Sequence, residues 1–412
     1  MTVALPRCRL CGAELIRTFV DLGMSPPCES YVDAERLESP EVFLPLHVRT
    51  CESCLLVQLP AYVAPEEVFT PDYAYYSSFS DSWVAHAERF VELAVQRLGL
   101  GPRSLVTEVA SNDGYLLQHL VARGVPVLGV EPCADVAAAA RARGVRTEEV
   151  FLGEVTGKEL ASRYGRADLV VGNNVLAHVP DVVDFVRGLR TLVADEGTVT
   201  LEFPHLQRLV EQRQFDTIYH EHYSYFTLRT AMAVLEAGDL RIVDVEELPT
   251  HGGSLRVWAR PTVSAGPPGP GVTRVLASER AAGLHDLTGH DGFAAAVLHV
   301  KADLLEFLVG AARRGELVAG YGAPGKGNTL LNHCGIRQDL LAFTVDRNPA
   351  KQGRYLPGTH IPILAPEALD EAAPDHVLVL PWNLRDEIAA QLAPLRERGT
   401  RLVVPIPRLE VI

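Results

Sequence analysis

Between residues 214 and 226 the chain reads QFDTIYHEHYSYF, which sets two histidines, two acids and three tyrosines side by side. The run matches neither the 3.6-residue period of an amphipathic helix nor the alternation of a half-buried strand. Tyr219, Glu221 and His222 supply a phenol, a carboxylate and an imidazole. That set can take a proton from carbon and stabilise the negative charge left behind. The competing reading is a polar loop whose rings pack on a neighbouring domain. His220 reads as structural, because adjacent side chains of an extended segment point opposite ways and only one can face a ligand.

A second constellation lies in the cysteines. Cys8 and Cys11 form one C-x-x-C pair and Cys51 and Cys54 another, while Cys28, Cys133 and Cys334 stand alone. Four thiolates in two knuckle-like pairs suit a tetrahedral zinc ion, with a redox or metal-free role as the alternative. Four sulfur ligands leave no open position for water, so the expected ion is structural.

These groups must be positioned by a chain of 412 residues, long enough for two or three domains. It is 47% hydrophobic, has no apolar run of membrane-spanning length, and lacks a signal-peptide core at its amino end, so a cytoplasmic protein is expected. A net charge of -14 argues against a nucleic-acid partner, which needs a clustered basic surface.

An aromatic segment at 73–80 leads into an expected helix over 81–98, with Trp83, Ala87, Phe90, Val91 and Ala94 on one face; the segment reads as a staple or a lid. From residue 103 strands and helices alternate. Strands are expected at 105–109, 127–130, 169–172 and 198–203, with helices from Gly114, Ala134 and Asp181, and an antiparallel pair at 240–248 and 254–260 closes the series. The fold class is therefore α/β, in the outline of a class I methyltransferase. The loops agree. Glu108, Ala110, Ser111, Asn112, Asp113 and Gly114 form a small-residue turn after the first strand, where backbone approaches a ligand at a helix amino end. Glu131 ends the second strand in position to accept from ribose hydroxyls, and Asn173 and Asn174 end the fourth, where they would bracket the methionyl part of S-adenosylmethionine.

A Gly/Pro-rich stretch at 265–271 opens a third region, with helices expected at 271–283 and 292–314 and a second strand-helix alternation from 317. Gly320, Gly322 and Gly325 spell G-x-G-x-x-G, and Asp346 follows at the end of the next strand, 21 residues on. Pro324 stiffens the turn and Lys326 stands where a cation would serve a terminal phosphate. A phosphate loop for a nucleotide diphosphate is the favoured reading, with a nicotinamide cofactor or a purely structural turn as alternatives.

The motifs SNDG, NNVLAHVPD, EFPHL, QFDTIYHEHYSYF, HGGSLRV, GYGAPGKGNTLLN, TVDRNPAKQGRYLPGTHIPI and LPWNL, together with the two cysteine pairs, extend over nearly the whole chain. In them the chain resembles the S-adenosylmethionine-dependent dTDP-sugar C-3 methyltransferases of antibiotic deoxysugar biosynthesis, of the tetronitrose and kijanose type. The resemblance implies a zinc-binding module (residues 1–66), a methyltransferase domain (67–262) and a second Rossmann-like domain (263–412), with a dTDP-linked keto-deoxysugar bound between the last two. It implies His222 as the base, with Tyr219 and Glu221 as its neighbours and His178 and Tyr73 in the same pocket. Tyr76, Ser80, Lys326, Asn328 and Arg347 are the candidates for holding the sugar nucleotide. One departure is Ala110, where relatives usually carry glycine. The implied reaction methylates the carbon beside a 4-ketone; C-5, O- or N-methylation and a nicotinamide-dependent oxidoreductase are the alternatives. The oligomeric state is left open, a monomer being compatible.

Overall fold

The protein, seen in a computed structural model that describes residues 5–69 and 76–412, divides into two compact units, each assembled from separate stretches of chain. The first comprises the stretch ending at Leu15, then Cys51–Leu206 and Tyr223–Asp286; the second comprises Ile16–Thr50, Gln207–His222 and Leu287–Ile412.

A seven-stranded sheet forms the heart of the first unit. Its strands in chain order are β1 (Val106–Val109), β2 (Val127–Val130), β3 (Thr147–Glu148), β4 (Ala167–Asn173), β5 (Val193–Pro204), β6 (Leu240–Leu248) and β7 (Ser254–Pro261), and they lie in the spatial order β3-β2-β1-β4-β5-β7-β6. The pairs from β3 through β5 are parallel, and β7 is antiparallel to both β5 and β6. Val106, Val109, Leu169, Val170 and Val171 are all buried, as strands covered on both faces require. The expected α/β outline and closing hairpin are therefore present.

The helix Asp81–Leu98 starts where the Ser80 hydroxyl accepts the Trp83 amide and stops at Gly99, which takes a left-handed φ of 64°. Its buried face is His86, Ala87, Phe90, Val91 and Ala94, the expected stripe except that Trp83 is half-buried and His86 is inside. The helix expected from Gly114 begins later, at Leu117, and ends at Val121. Ala110, Asn112 and Gly114 have φ of 55°, 48° and 78°, and left-handed residues cannot belong to a right-handed helix.

In the second unit a six-stranded sheet runs β10-β9-β8-β11-β12-β13, with β8 (Val318–Tyr321), β9 (Thr344–Val345), β10 (Ile363–Leu364), β11 (His376–Val379), β12 (Arg401–Val404) and β13 (Glu410–Val411). All neighbours are parallel except the last pair. Arg17–Ser25 pairs antiparallel with Leu44–Thr50, and Phe19 of this ribbon stacks on Phe293 of the helix Phe293–Arg313 with centroids 4.7 Å apart. Among the described residues no helix is long and apolar enough to cross a membrane.

Candidate active site

The two cysteine pairs meet in the first unit. Each sits on a turn closed by the same bonds: the Gly12 amide donates to the Cys8 carbonyl at 2.8 Å, and the Leu55 amide to the Cys51 carbonyl at 2.9 Å. The four sulfurs lie within 4.8 Å of one another, with Cys8 to Cys54 and Cys11 to Cys51 both at 3.5 Å. A tetrahedral zinc with sulfur at about 2.3 Å separates its ligands by roughly 3.8 Å, so the set fits zinc with little movement. The Gln58 amide donates to Cys8 Sγ at 3.1 Å, the kind of outer support that orients a ligating thiolate.

At the carboxyl end of β1 the predicted donor loop is tightly held. Glu131 accepts the Asn112 amide on one oxygen and the Cys133 amide on the other, both at 3.0 Å. Its acceptor capacity is not exhausted, since each carboxylate oxygen has a second lone pair for a ribose hydroxyl. Asp113 pairs with Arg143 at 2.7 Å and accepts from Ser78 through Oδ2, which anchors the loop, while its Oδ1 is buried with no protein partner among the described residues. Asn112 is likewise engaged, its side chain accepting the Ser77 amide at 2.8 Å. Glu108 is wholly buried, and burial pushes its carboxyl well above the usual range against the lowering influence of the Tyr115 hydroxyl. Asn173 donates to Tyr115 at 3.3 Å and Asn174, at φ 54°, to His251 Nε2 at 3.2 Å. The amide oxygens of both asparagines are buried with no protein partner among the described residues. Orphaned acceptors at the end of β4 together with the Glu131 carboxylate fit a ligand carrying ammonium and ribose donors, as S-adenosylmethionine does.

Sequence reasoning passed over the residues that surround Asn174. Trp83 stacks on His86 at 4.9 Å and on Tyr115 at 5.9 Å and meets His251 edge-on at 5.1 Å. Beneath them Glu202 accepts from Arg256 at 2.8 Å and from Thr250 at 2.8 Å and pairs with His86 at 2.9 Å. The only signal was His251 beside two glycines, read as a turn; its φ of 52° marks a strained position. His178 ends the 3-10 turn Leu176–His178 and meets the Phe69 ring edge-on at 5.7 Å. Tyr73 lies outside the described residues. Tyr76 stacks on Phe79 at 5.3 Å, and Ser80 is engaged as the helix cap.

The histidine-rich segment belongs, up to His222, to the second unit. It is a tight turn where the sequence suggested extension: the His222 amide donates to the Tyr219 carbonyl at 2.9 Å. This i to i+3 closure brings the Tyr219 and His222 rings to 4.0 Å between centroids. His222 Nδ1 lies 2.8 Å from the Thr217 carbonyl. A carbonyl only accepts, so Nδ1 carries the hydrogen and Nε2 is the basic nitrogen of the neutral ring. His220 is buried near Leu44 and Pro45, and burial lowers its pKa. Glu221 reaches Cys28, whose thiol donates to it at 3.6 Å. Burial, reinforced by the charge of Glu29, pushes the Glu221 carboxyl up to about 8. Among the described residues the Glu221 carboxyl is bonded to a thiol, where the sequence suggested that it orients an imidazole or holds its charge.

The glycine-rich loop is closed by its own unit. A Cβ on Gly320 would lie 2.6 Å from Thr344 Oγ1, one on Gly322 2.7 Å from Pro381, and one on Gly325 2.8 Å from Cys28 Sγ and 3.1 Å from a Glu29 carboxylate oxygen. Each glycine is thus accounted for by close packing, and an acid lies beside Gly325. Lys326 donates to Asn383 at 2.8 Å and lies 4.7 Å above the Trp382 ring; its ammonium is held inward and not toward a terminal phosphate. These contacts are the ones the structural alternative for the loop calls for. Asn328 is buried, donating to the Cys28 carbonyl at 3.5 Å. Arg347 is exposed and lines a cleft of about 430 Å³ with Tyr321, Glu367, Asp370 and Gln391.

Family models match this chain in three consecutive pieces: a zinc binding domain over residues 8–69, a methyltransferase domain over 83–245 and a C-methyltransferase C-terminal domain over 249–407. The chain is 37% identical over 408 residues to the C-methyltransferase NovU of Streptomyces niveus, spanning 99% of this chain and 97% of that protein. Looser overlaps occur with solved structures. The magnesium protoporphyrin IX methyltransferase of Synechocystis PCC 6803 with bound S-adenosylmethionine overlaps 43% of this chain and 81% of its own at 18% identity and a TM-score of 0.33. An S-adenosylmethionine-dependent methyltransferase from Clostridium acetobutylicum overlaps 43% and 91% at 11% identity and a TM-score of 0.36. At these TM-scores the two overlaps carry no weight.

Proposed function

The chain belongs to the S-adenosylmethionine-dependent C-methyltransferases, and from that premise we propose that it methylates a dTDP-4-keto-deoxysugar at C-3, with His222 as the base. The observation that carries this reading is the 2.8 Å approach of His222 Nδ1 to the Thr217 carbonyl, which assigns the hydrogen to Nδ1 and leaves Nε2 as the proton acceptor of the neutral ring.

S-adenosylmethionine supplies the electrophilic methyl, and the chain's own residues have to make the sugar carbon nucleophilic. An unassisted imidazole faces a gap of roughly 13 pKa units, about 18 kcal/mol, in removing a proton beside a ketone. A positioned general base typically contributes about 10²- to 10⁴-fold, roughly 3 to 5 kcal/mol. The remainder must come from stabilising the enolate oxygen in a dry site. The Tyr219 phenol, whose ring lies tilted against that of His222 with centroids 4.0 Å apart, is assigned that role, His178 being the alternative donor. Glu221, protonated below about pH 8, adds no competing negative charge beside the forming enolate. In the first unit, Glu131 and the amide oxygens of Asn173 and Asn174 hold the donor's ribose and ammonium, and the zinc centre stays out of the chemistry.

Mass spectrometry of products from a panel of dTDP-4-keto-deoxysugars, followed by NMR, should place one added methyl on C-3. His222→Asn should bind S-adenosylmethionine normally yet lose both methyl transfer and solvent exchange of the C-3 proton. Undiminished exchange in that variant would remove His222 from the role of base.

A further inference from the structure

Asp216 is a wholly buried acid inside the 3-10 turn Phe215–Thr217. Burying a carboxyl is costly unless it is bonded, and here the Trp382 indole N–H donates to Oδ2 at 2.6 Å. Burial pushes the carboxyl up to about 6, with the Lys326 ammonium as the largest opposing influence. Lys326 is in turn held by Asn383, the residue next to Trp382. Such buried ionic clusters contribute little net stability. What this one does is hold a short piece of backbone in place.

That piece bears directly on the imidazole. Three consecutive residues are clamped: the Asp216 side chain by Trp382, the Thr217 carbonyl by His222 Nδ1–H at 2.8 Å, and the Ile218 carbonyl by the Thr329 hydroxyl at 3.0 Å. We propose that Asp216, gripped by the Trp382 indole, is a positioning residue that aims the Thr217 carbonyl and thereby sets the tautomer of His222. On this account the LPWNL motif and the helix after the glycine-rich loop form a bracket for the base segment. The proposal rests on the reading of His222 as base only for its kinetic consequence, since the tautomer is observable without turnover.

The test uses the full-length, zinc-loaded protein with ¹⁵N-labelled histidine, the His222 signal being assigned by its loss in His222→Asn. The native ring should show a protonated Nδ1 and a bare, basic Nε2. Asp216→Ala and Trp382→Phe should each give a mixture of tautomers and lower kcat roughly 10- to 100-fold, part of the range a general base supplies, with the KM for S-adenosylmethionine unchanged. Asp216→Asn, which keeps an acceptor for the indole, should recover most of the loss. A folded Trp382→Phe protein with the native tautomer and native kcat would overturn the proposal, and it decides the matter if Asp216→Ala does not fold. Should His222→Asn itself retain turnover, the base assignment fails while the tautomer signals still decide whether the bracket exists.

Discussion

Replacing Glu221 with glutamine should change how stability depends on pH. The carboxyl is buried and its pKa stands near 8 in the folded chain against an ordinary value near 4.5. Between those values the unfolded chain releases a proton that the folded chain retains. Raising the pH therefore favours unfolding, by about 1.4 kcal/mol per unit. The stabilising contribution is complete below about pH 4.5, falls through the window, and is lost above about pH 8. At pH 7 the accumulated penalty is 2.5 units, roughly 3 kcal/mol, and across the whole window it approaches about 5 kcal/mol. Glutamine cannot ionise and has nearly the shape of the protonated acid, so Glu221→Gln should equal the native protein near pH 4.5 and exceed it progressively up to pH 8. Urea unfolding at half-unit pH steps, followed by far-UV circular dichroism and tryptophan fluorescence, gives the difference in midpoint. Turnover of Glu221→Gln at pH 7 should stay within about tenfold of native, because both carry a neutral group there. A stability difference that does not vary with pH would show that the carboxyl titrates normally, and the argument for a neutral Glu221 would fall with it.

Elemental analysis should return one zinc per chain, and Cys8→Ser should lose it along with cooperative unfolding of the first unit, since structural zinc contributes on the order of 10 kcal/mol. Zinc content unchanged in that variant would refute the site. Ala110→Gly should be neutral to stabilising: relief of a left-handed alanine is worth about 1 to 2 kcal/mol, against about 0.5 to 1 kcal/mol for the flexibility of glycine in the unfolded chain. A higher urea midpoint with unchanged donor affinity is the expected result, and a loss of stability would show that φ is not strained there.

Where the signal is local, sequence and structure agree closely. The strand Val127–Val130, the helix Asp81–Leu98 and the antiparallel pair from Leu240 appear where hydrophobic period and turn residues put them. The cysteine pairs were legible for the same reason, because a C-x-x-C knuckle needs only its own turn. The positive φ at Ala110 gives a backbone reason for the glycine expected at that position. The start of the next helix was placed too early because Gly114, expected as its first residue, is left-handed and the helix begins only at Leu117.

The chemistry of the histidine segment was legible only as an inventory of groups. Sequence supplied Tyr219, Glu221 and His222, and it identified the type of reaction they could serve. Which nitrogen of His222 is basic depends on a carbonyl five residues back, whose direction is held by Trp382 and Thr329, more than a hundred residues away. Whether Glu221 carries charge depends on burial beside Cys28 and Glu29, nearly two hundred residues earlier. The glycine-rich loop shows the same division, since its spacing satisfies a nucleotide motif while Cys28 and Glu29, distant in the chain, pack where a side chain on Gly325 would lie. Covalent spacing sets which groups are available and which backbone turns they can make. Protonation, tautomer and access follow from the dielectric and the neighbours each group meets after folding, and those are properties of the packed chain alone.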